Sequence, residues 1–134
     1  MKAVIIGGDK KELEDISLAL KARWPRAELI STYLGRRGIE LVESESPDIV
    51  ILDSRLPDMS GFNVLKQIRC RSDTPLIFLS YIRGDVAEKV KVLAMGADQY
   101  ISRPFGEMEL VARVNAVIRR RNIYEKQCHH LVAG

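Results

Sequence analysis

A doubly wound α/β fold, with a five-stranded parallel sheet and five helices in three layers, is predicted by two features of the sequence. Five short aliphatic runs alternate with helical patterns along the chain. The runs are hydrophobic throughout, the mark of strands covered on both faces. Strand and helix alternating five times requires parallel strands joined by right-handed crossovers, with helices on both sides of the sheet.

The predicted strands are residues 3–6, 27–31, 49–52, 76–79 and 99–101. In the first helix Leu13, Ile16, Leu20 and Trp24 recur at helical spacing, and Pro25 stops it. The second, over 35–44, carries Ile39, Leu41 and Val42 but also two glycines. The third, over 62–70, places Val64, Leu65 and Ile68 on one side. The fourth runs over 85–95 and ends at Gly96, a C-terminal cap. The fifth, over 107–120, has acids in its first turn and Arg119, Arg120 and Arg121 at its end, which suits the helix dipole. The pattern stops there, so residues 1–121 read as one domain and 122–134 as a linker.

Composition narrows the function. A chain of 134 residues, 46% hydrophobic and 29% charged, fits one globular domain with a real core. Aromatics are few, so the core is aliphatic. Cys70 and Cys128 match no zinc or redox spacing, which points to reduced thiols and a cytoplasmic setting. The N-terminal apolar run is too short for a signal peptide, and no stretch reaches membrane-span length. A net charge of +3 does not by itself call for nucleic acid.

In an open parallel sheet, functional groups collect at the carboxyl ends of the strands. Here those ends carry Gly7-Gly8-Asp9, Asp53, Ser80 and Arg103-Pro104: two carboxylates, a hydroxyl and a guanidinium on one edge. A carboxylate can attack a phosphoryl group, given cationic and hydroxyl partners for the phosphoryl oxygens. Arg103 supplies the charge and Ser80 the hydroxyl. Taken singly, Asp53 is equally a cap for the loop 54–59, Ser80 a plain strand-end hydroxyl and Arg103 a surface charge. Their coincidence on one edge favours the chemical reading.

Two segments carry a family resemblance. The run Asp48-Ile49-Val50-Ile51-Leu52-Asp53-Ser54-Arg55-Leu56-Pro57-Asp58-Met59-Ser60-Gly61-Phe62 is similar to the phosphoacceptor strand and loop of bacterial two-component response-regulator receivers. The run Gly96-Ala97-Asp98-Gln99-Tyr100-Ile101-Ser102-Arg103-Pro104-Phe105 is similar to the last strand of that family. The resemblance covers residues 2–121 and implies a flavodoxin-like (CheY-like) fold. It also implies Asp53 as phosphoacceptor, Ser80 as switch hydroxyl, Tyr100 as the aromatic switch, a cis peptide at Arg103-Pro104, and a sensor histidine kinase as partner.

Three departures bear on chemistry. Gly7 and Gly8 stand where the family carries a magnesium-binding acidic pair, leaving only Asp9, one place later. Arg103 replaces a lysine, exchanging a point charge for a rigid fork. Tyr81 replaces a small residue beside Ser80 and would crowd phosphodonors. Two readings stay open. In one, Arg103 pairs with Asp53, magnesium binding is weak, no cofactor is required, and phosphorylation is slow or absent. In the other, Asp9 moves in with Asp53 and the backbone carbonyl of Arg55 to hold the ion, and ordinary phosphotransfer survives.

The residues 90–98 and 109–114 resemble the OmpR/PhoB-like transcription regulators. The resemblance implies a homodimer through the fourth helix, fifth strand and fifth helix, with Lys91 matched to Glu109 and Asp98 to Arg113. Gln99 replaces an acid on that face, so one bridge is expected to be lost. The same resemblance implies a winged-helix DNA-binding domain following this chain, which would then be a truncated piece, with DNA reached only through that domain. His129-His130 reads as linker rather than as a metal site. An alternative is a pseudo-receiver that binds proteins, or senses a small ligand through Gly7-Gly8. A phosphatase using Asp53 as its nucleophile is disfavoured, because Arg55 stands where the second acid of such enzymes falls. The chain is therefore expected not to be an enzyme.

Overall fold

The computed structural model describes residues 1–81 and 85–133, with side chains described except at 124 and 126–133. The elements run in strict alternation: β1 (Lys2–Ile6), α1 (Lys10–Arg23), β2 (Glu28–Thr32), α2 (Gly35–Glu45), β3 (Ile49–Asp53), α3 (Gly61–Arg69), β4 (Leu76–Ser80), α4 (Val86–Ala94), β5 (Gln99–Ser102) and α5 (Glu107–Ala133). All neighbouring strands pair in parallel, in the order β2-β1-β3-β4-β5. This is the predicted doubly wound, CheY-like architecture.

Strand parity splits the core in two. Val4, Ile6, Val50, Leu52, Leu76, Phe78 and Tyr100 face the side that holds Leu41, Val64, Leu65, Ile68 and Val92 of α2, α3 and α4. Ala3, Ile5, Ile49, Ile51, Ile77, Leu79 and Ile101 face Ile16, Leu20, Leu110, Val114 and Val117 of α1 and α5. The three central strands thus bury both faces, which explains their unbroken apolar sequences.

Each strand runs one residue further than predicted at its carboxyl end, apart from β1. The extra pairs include Asp53 with Leu79 and Ser80 with Ser102, so both candidate residues hold the last rung of the ladder. Asp53 continues the parity of Ile49 and Ile51, toward α1. Ser80 continues that of Leu76 and Phe78, toward α4.

Two helix features depart from the sequence reading. The predicted linker is helical: α5 continues through Ala133. No Gly or Pro interrupts 107–133, and Arg121 anchors the extension by ion pairs to Asp73 at 3.2 Å and Glu125 at 3.0 Å. The side chains of Cys128, His129 and His130 lie outside the described residues. The N-terminus of α2 lacks a cap of its own, since Leu34 supplies no side-chain hydrogen bond. Asp58 caps it from the β3–α3 loop instead, accepting from the N–H groups of Gly35 at 2.8 Å and Arg36 at 3.1 Å.

Two predictions follow from these contacts. Those two N–H donors hold the Asp58 carboxyl below its ordinary value. A lowered carboxyl stabilises the fold above the ordinary aspartate pKa of about 3.9 and loses that contribution as pH falls through its own lower value. Urea melts of Asp58→Ala should therefore show a deficit at neutral pH that closes in strong acid. A methyl at Gly38 would sit 2.5 Å from Cδ1 and 2.7 Å from Cγ1 of Ile6. Overpacking of that kind outweighs the helix-propensity gain of about 1 kcal/mol, so Gly38→Ala should lower stability by about 1 kcal/mol.

Candidate functional site

The carboxyl edge of the sheet carries two polar clusters, one on each side of the strand ends. The first is built on Arg103, one residue past β5. Its Nη2 lies 2.5 Å from Oδ2 of Asp53 and 2.6 Å from Oε1 of Glu12, while its Nε donates to Oε2 of Glu12 at 2.9 Å. One guanidinium thus forks onto a glutamate of α1 and reaches the aspartate of β3. The Asp53 side chain is 2% exposed. The remaining nitrogen, Nη1, is buried with no hydrogen-bond partner among the described residues.

Burial pushes the Asp53 carboxyl above its ordinary value. The Arg55 backbone N–H, at 3.0 Å from Oδ1, and the Arg103 charge pull it back, and Glu12 pushes it up again. For Arg103, burial works against the charge, but Glu12 and Asp53 outweigh it and hold the guanidinium above its usual range.

Of the two glycines that replace an acidic pair, Gly7 is sterically required. Gly7 has φ +96°, and a Cβ there would lie 2.5 Å from Cβ of Asp53 and 2.7 Å from Cδ2 of Leu56. Gly8 has φ +87°, with Oε1 of Glu12 3.2 Å from its would-be Cβ. Both backbones favour glycine. Asp9 does not turn inward. Its Oδ1 caps α1 by accepting from the Glu12 N–H at 2.7 Å.

The second cluster faces α4. Ser80 Oγ donates to Oε1 of Glu88, and the Tyr100 hydroxyl donates to the same oxygen at 2.9 Å. Glu88 is 9% exposed. Tyr100 points inward, its ring stacked on Phe78 at 6.2 Å. The structure therefore brings Arg103 onto Asp53, while Ser80 and Tyr100 converge on Glu88. Tyr81 flanks the first cluster. Its ring lies 4.3 Å from the Arg103 guanidinium and 4.7 Å from that of Arg55.

The metal set expected from Asp9, Asp53 and the Arg55 carbonyl is not assembled, because Asp9 is committed to its helix. Among the described residues no group of three or more His, Cys, Asp or Glu side chains could hold a metal ion. Magnesium, which the resemblance implies, would meet two carboxylates with a guanidinium already between them. The predicted dimer-face charges are engaged within the chain. Asp98 pairs with Arg69 at 3.2 Å and accepts from the Leu76 N–H. Arg113 bonds to Gln99 at 2.8 Å and lies 3.7 Å from Glu109. Lys91 sits over the Phe62 ring at 4.3 Å. The Arg103–Pro104 peptide is cis, as expected.

Glu12 and Glu88 were not singled out from the sequence. Each stands three residues after a capping aspartate, Asp9 or Asp85, whose side chain accepts from its backbone N–H. The only available signal, an acid in a helix's first turn, points equally to a solvated cap residue.

A parallel sheet with an aspartate at the end of its central strand, paired with a cationic side chain one residue past β5, has the arrangement of a receiver-type site. The response regulator receiver domain profile matches residues 4–115, and the chain belongs to that family. Among curated relatives, the cell cycle response regulator CtrA of Brucella ovis is 39% identical over 121 residues, 90% of this chain and 51% of that protein. The chain thus spans about half the length of the curated relatives it matches. Among solved structures, the receiver domain of the Francisella response regulator 1452 superposes with a TM-score of 0.82 at 26% identity, covering 90% of this chain and 98% of that one. A two-component response regulator from Clostridium difficile gives 0.82 at 28%, covering 91% and 98%. Among the described residues no helix is long and apolar enough to cross a membrane.

The electrostatics give a sign for Asp53 opposite to that for Asp58. A carboxyl raised by burial opposes folding while ionised, and the cost disappears as pH falls through its raised value. Asp53→Asn leaves Arg103 paired with Glu12. It should raise stability at neutral pH by about 1 kcal/mol, a few degrees in Tm, with the gain shrinking in acid. Thermal melts at several pH values check this.

Proposed function

We propose that this chain is the receiver of a two-component transcription regulator of the OmpR/PhoB-like kind in which an internal ion pair, rather than a divalent cation, balances the charge of Asp53. One observation carries the reading: Nη2 of Arg103 occupies the space between Asp53 and Glu12. Magnesium prefers near-octahedral oxygen coordination, and here it would have to displace a charge-assisted fork to find two carboxylates. Recruiting Asp9 would uncap α1, which costs about 1 kcal/mol. Magnesium affinity is therefore weak, and phosphorylation of Asp53 by a sensor histidine kinase is slow or dispensable. The module regulates rather than catalyses, with Arg55 standing where a phosphohydrolase would carry its second acid.

Its output is a homodimer through α4, β5 and α5. The intrachain partners of Asp98, Arg113 and Lys91 shift the weight of that face from salt bridges to apolar contact. Val86, Val90 and Leu93 of α4 and Met108 of α5 are all exposed. DNA is reached through a C-terminal domain outside this chain, in a cytoplasmic protein.

Incubation with acetyl phosphate and magnesium, read by intact mass, tests the pocket. The expected result is little or no phosphoryl adduct, with magnesium binding weaker than about millimolar by calorimetry. Stoichiometric labelling within minutes that vanishes in Asp53→Ala would overturn the reading, as would sub-millimolar magnesium affinity. Arg103→Lys, which opens the fork, should increase both labelling and metal binding.

A further inference from the structure

The Glu88 carboxylate plays no part in the pocket around Asp53, yet it is buried and shared by two hydroxyls from different strands. A buried carboxylate is unfavourable unless hydrogen-bonded, so its place in the first turn of α4 reflects the partners it meets there. Those partners are Ser80 at the end of β4 and Tyr100 on β5, both donating to Oε1. Asp85, an acid of the same helix N-terminus, is engaged through its side chain by the Glu88 backbone N–H at 2.9 Å.

A serine hydroxyl has a single hydrogen to give. While that hydrogen is on Glu88 it cannot serve an anion at Asp53. We propose that Glu88 is a positioning residue, a latch that holds Ser80 and Tyr100 in the resting arrangement by competing with any anion on Asp53 for the Ser80 proton. This rests on reading Asp53 and Ser80 as the switching pair. When Ser80 turns to an anion, Glu88 keeps one hydroxyl donor of two. A buried carboxylate left short of a donor moves to find water, and it moves with α4. The same side chain therefore sets the threshold for switching and transmits the switch to the exposed α4 face that carries Val86, Val90 and Leu93.

The test uses the whole chain without any phosphodonor. Glu88→Gln keeps the shape but removes the charge, and neutral acceptors bind hydroxyls about half as strongly. Amide exchange in the first turn of α4 should then quicken by about tenfold. In the wild type, burial chiefly, with Glu88 adding to it, holds the Tyr100 hydroxyl above its ordinary pKa. Carbon-13 tyrosine resonances should therefore show Tyr100 titrating at lower pH in Glu88→Gln. Glu88→Asp, with the charge retained one methylene short, should restore part of both effects and carries the test if Glu88→Gln does not fold. Wild-type exchange in α4 together with unchanged Tyr100 titration would overturn the latch. Because no phosphodonor is present, full acetyl phosphate labelling of the wild type would sink only the Arg103 reading, and the two failures are distinguishable.

Discussion

The contact on which the site depends is the guanidinium of Arg103 lodged between Asp53 and Glu12. It ties the start of α1, the end of β3 and the residue after β5 into one charged knot at the edge of the sheet. An ammonium could neutralise one carboxylate as a point charge. The planar fork instead meets Glu12 with two nitrogens and reaches Asp53 with one of them. Four sequence features then read as one change. Gly7 and Gly8 remove side chains where a Cβ would strike Asp53, Leu56 or Glu12. Glu12 returns an acid to the site from a helix, and arginine makes the fork that uses it.

Sheet parity keeps this knot apart from the hydroxyl cluster. Asp53 follows Ile49 and Ile51 toward α1, while Ser80 follows Leu76 and Phe78 toward α4. Only atoms at the strand ends can couple them. Ser54 takes its N–H to the Leu79 carbonyl at 2.9 Å and accepts the Tyr81 N–H on its hydroxyl at 3.0 Å. The loop after Asp53 is thereby stitched to the end of β4. The Tyr81 ring lies against the guanidiniums of both Arg55 and Arg103. A change in charge at Asp53 that moved Arg103 would be felt by Tyr81, and through its backbone by Ser80.

The fold was legible in the sequence because its central strands are buried on both sides, and a continuous aliphatic run has few other uses at that length. Asp53, Ser80 and Arg103 were legible because strand ends are where such a sheet gathers its chemistry, and Asp53 and Arg103 do meet. The destination of the Ser80 hydroxyl was not, since it depends on a helix residue whose rotation no strand pattern reveals. The intrachain partners of Asp98 and Arg113 were not legible either, since Arg69 and Gln99 reach them from positions far away in sequence or on a neighbouring element. The helical continuation of α5 past Arg121 was not legible because the apolar periodicity stops there, although no Gly or Pro breaks the helix through Ala133.

Glu12 and Glu88 share a structural logic that accounts for their invisibility. Each lies in the first turn of its helix behind an aspartate that caps its N–H, in the pattern Asp-x-x-Glu. In a capping box the glutamate turns back onto the cap residue's own N–H. Here one carboxylate reaches Arg103 and the other gathers Ser80 and Tyr100. The aspartate satisfies a helix donor, and the glutamate is released for the site. The first turn is also where a helix favours negative charge, by roughly 0.3–1 kcal/mol. That offsets part of what burial takes from each carboxylate. Two helix N-termini aimed at one sheet edge therefore sustain acids that strand ends alone could not hold, and the pocket can lose its acidic pair without losing its negative charge.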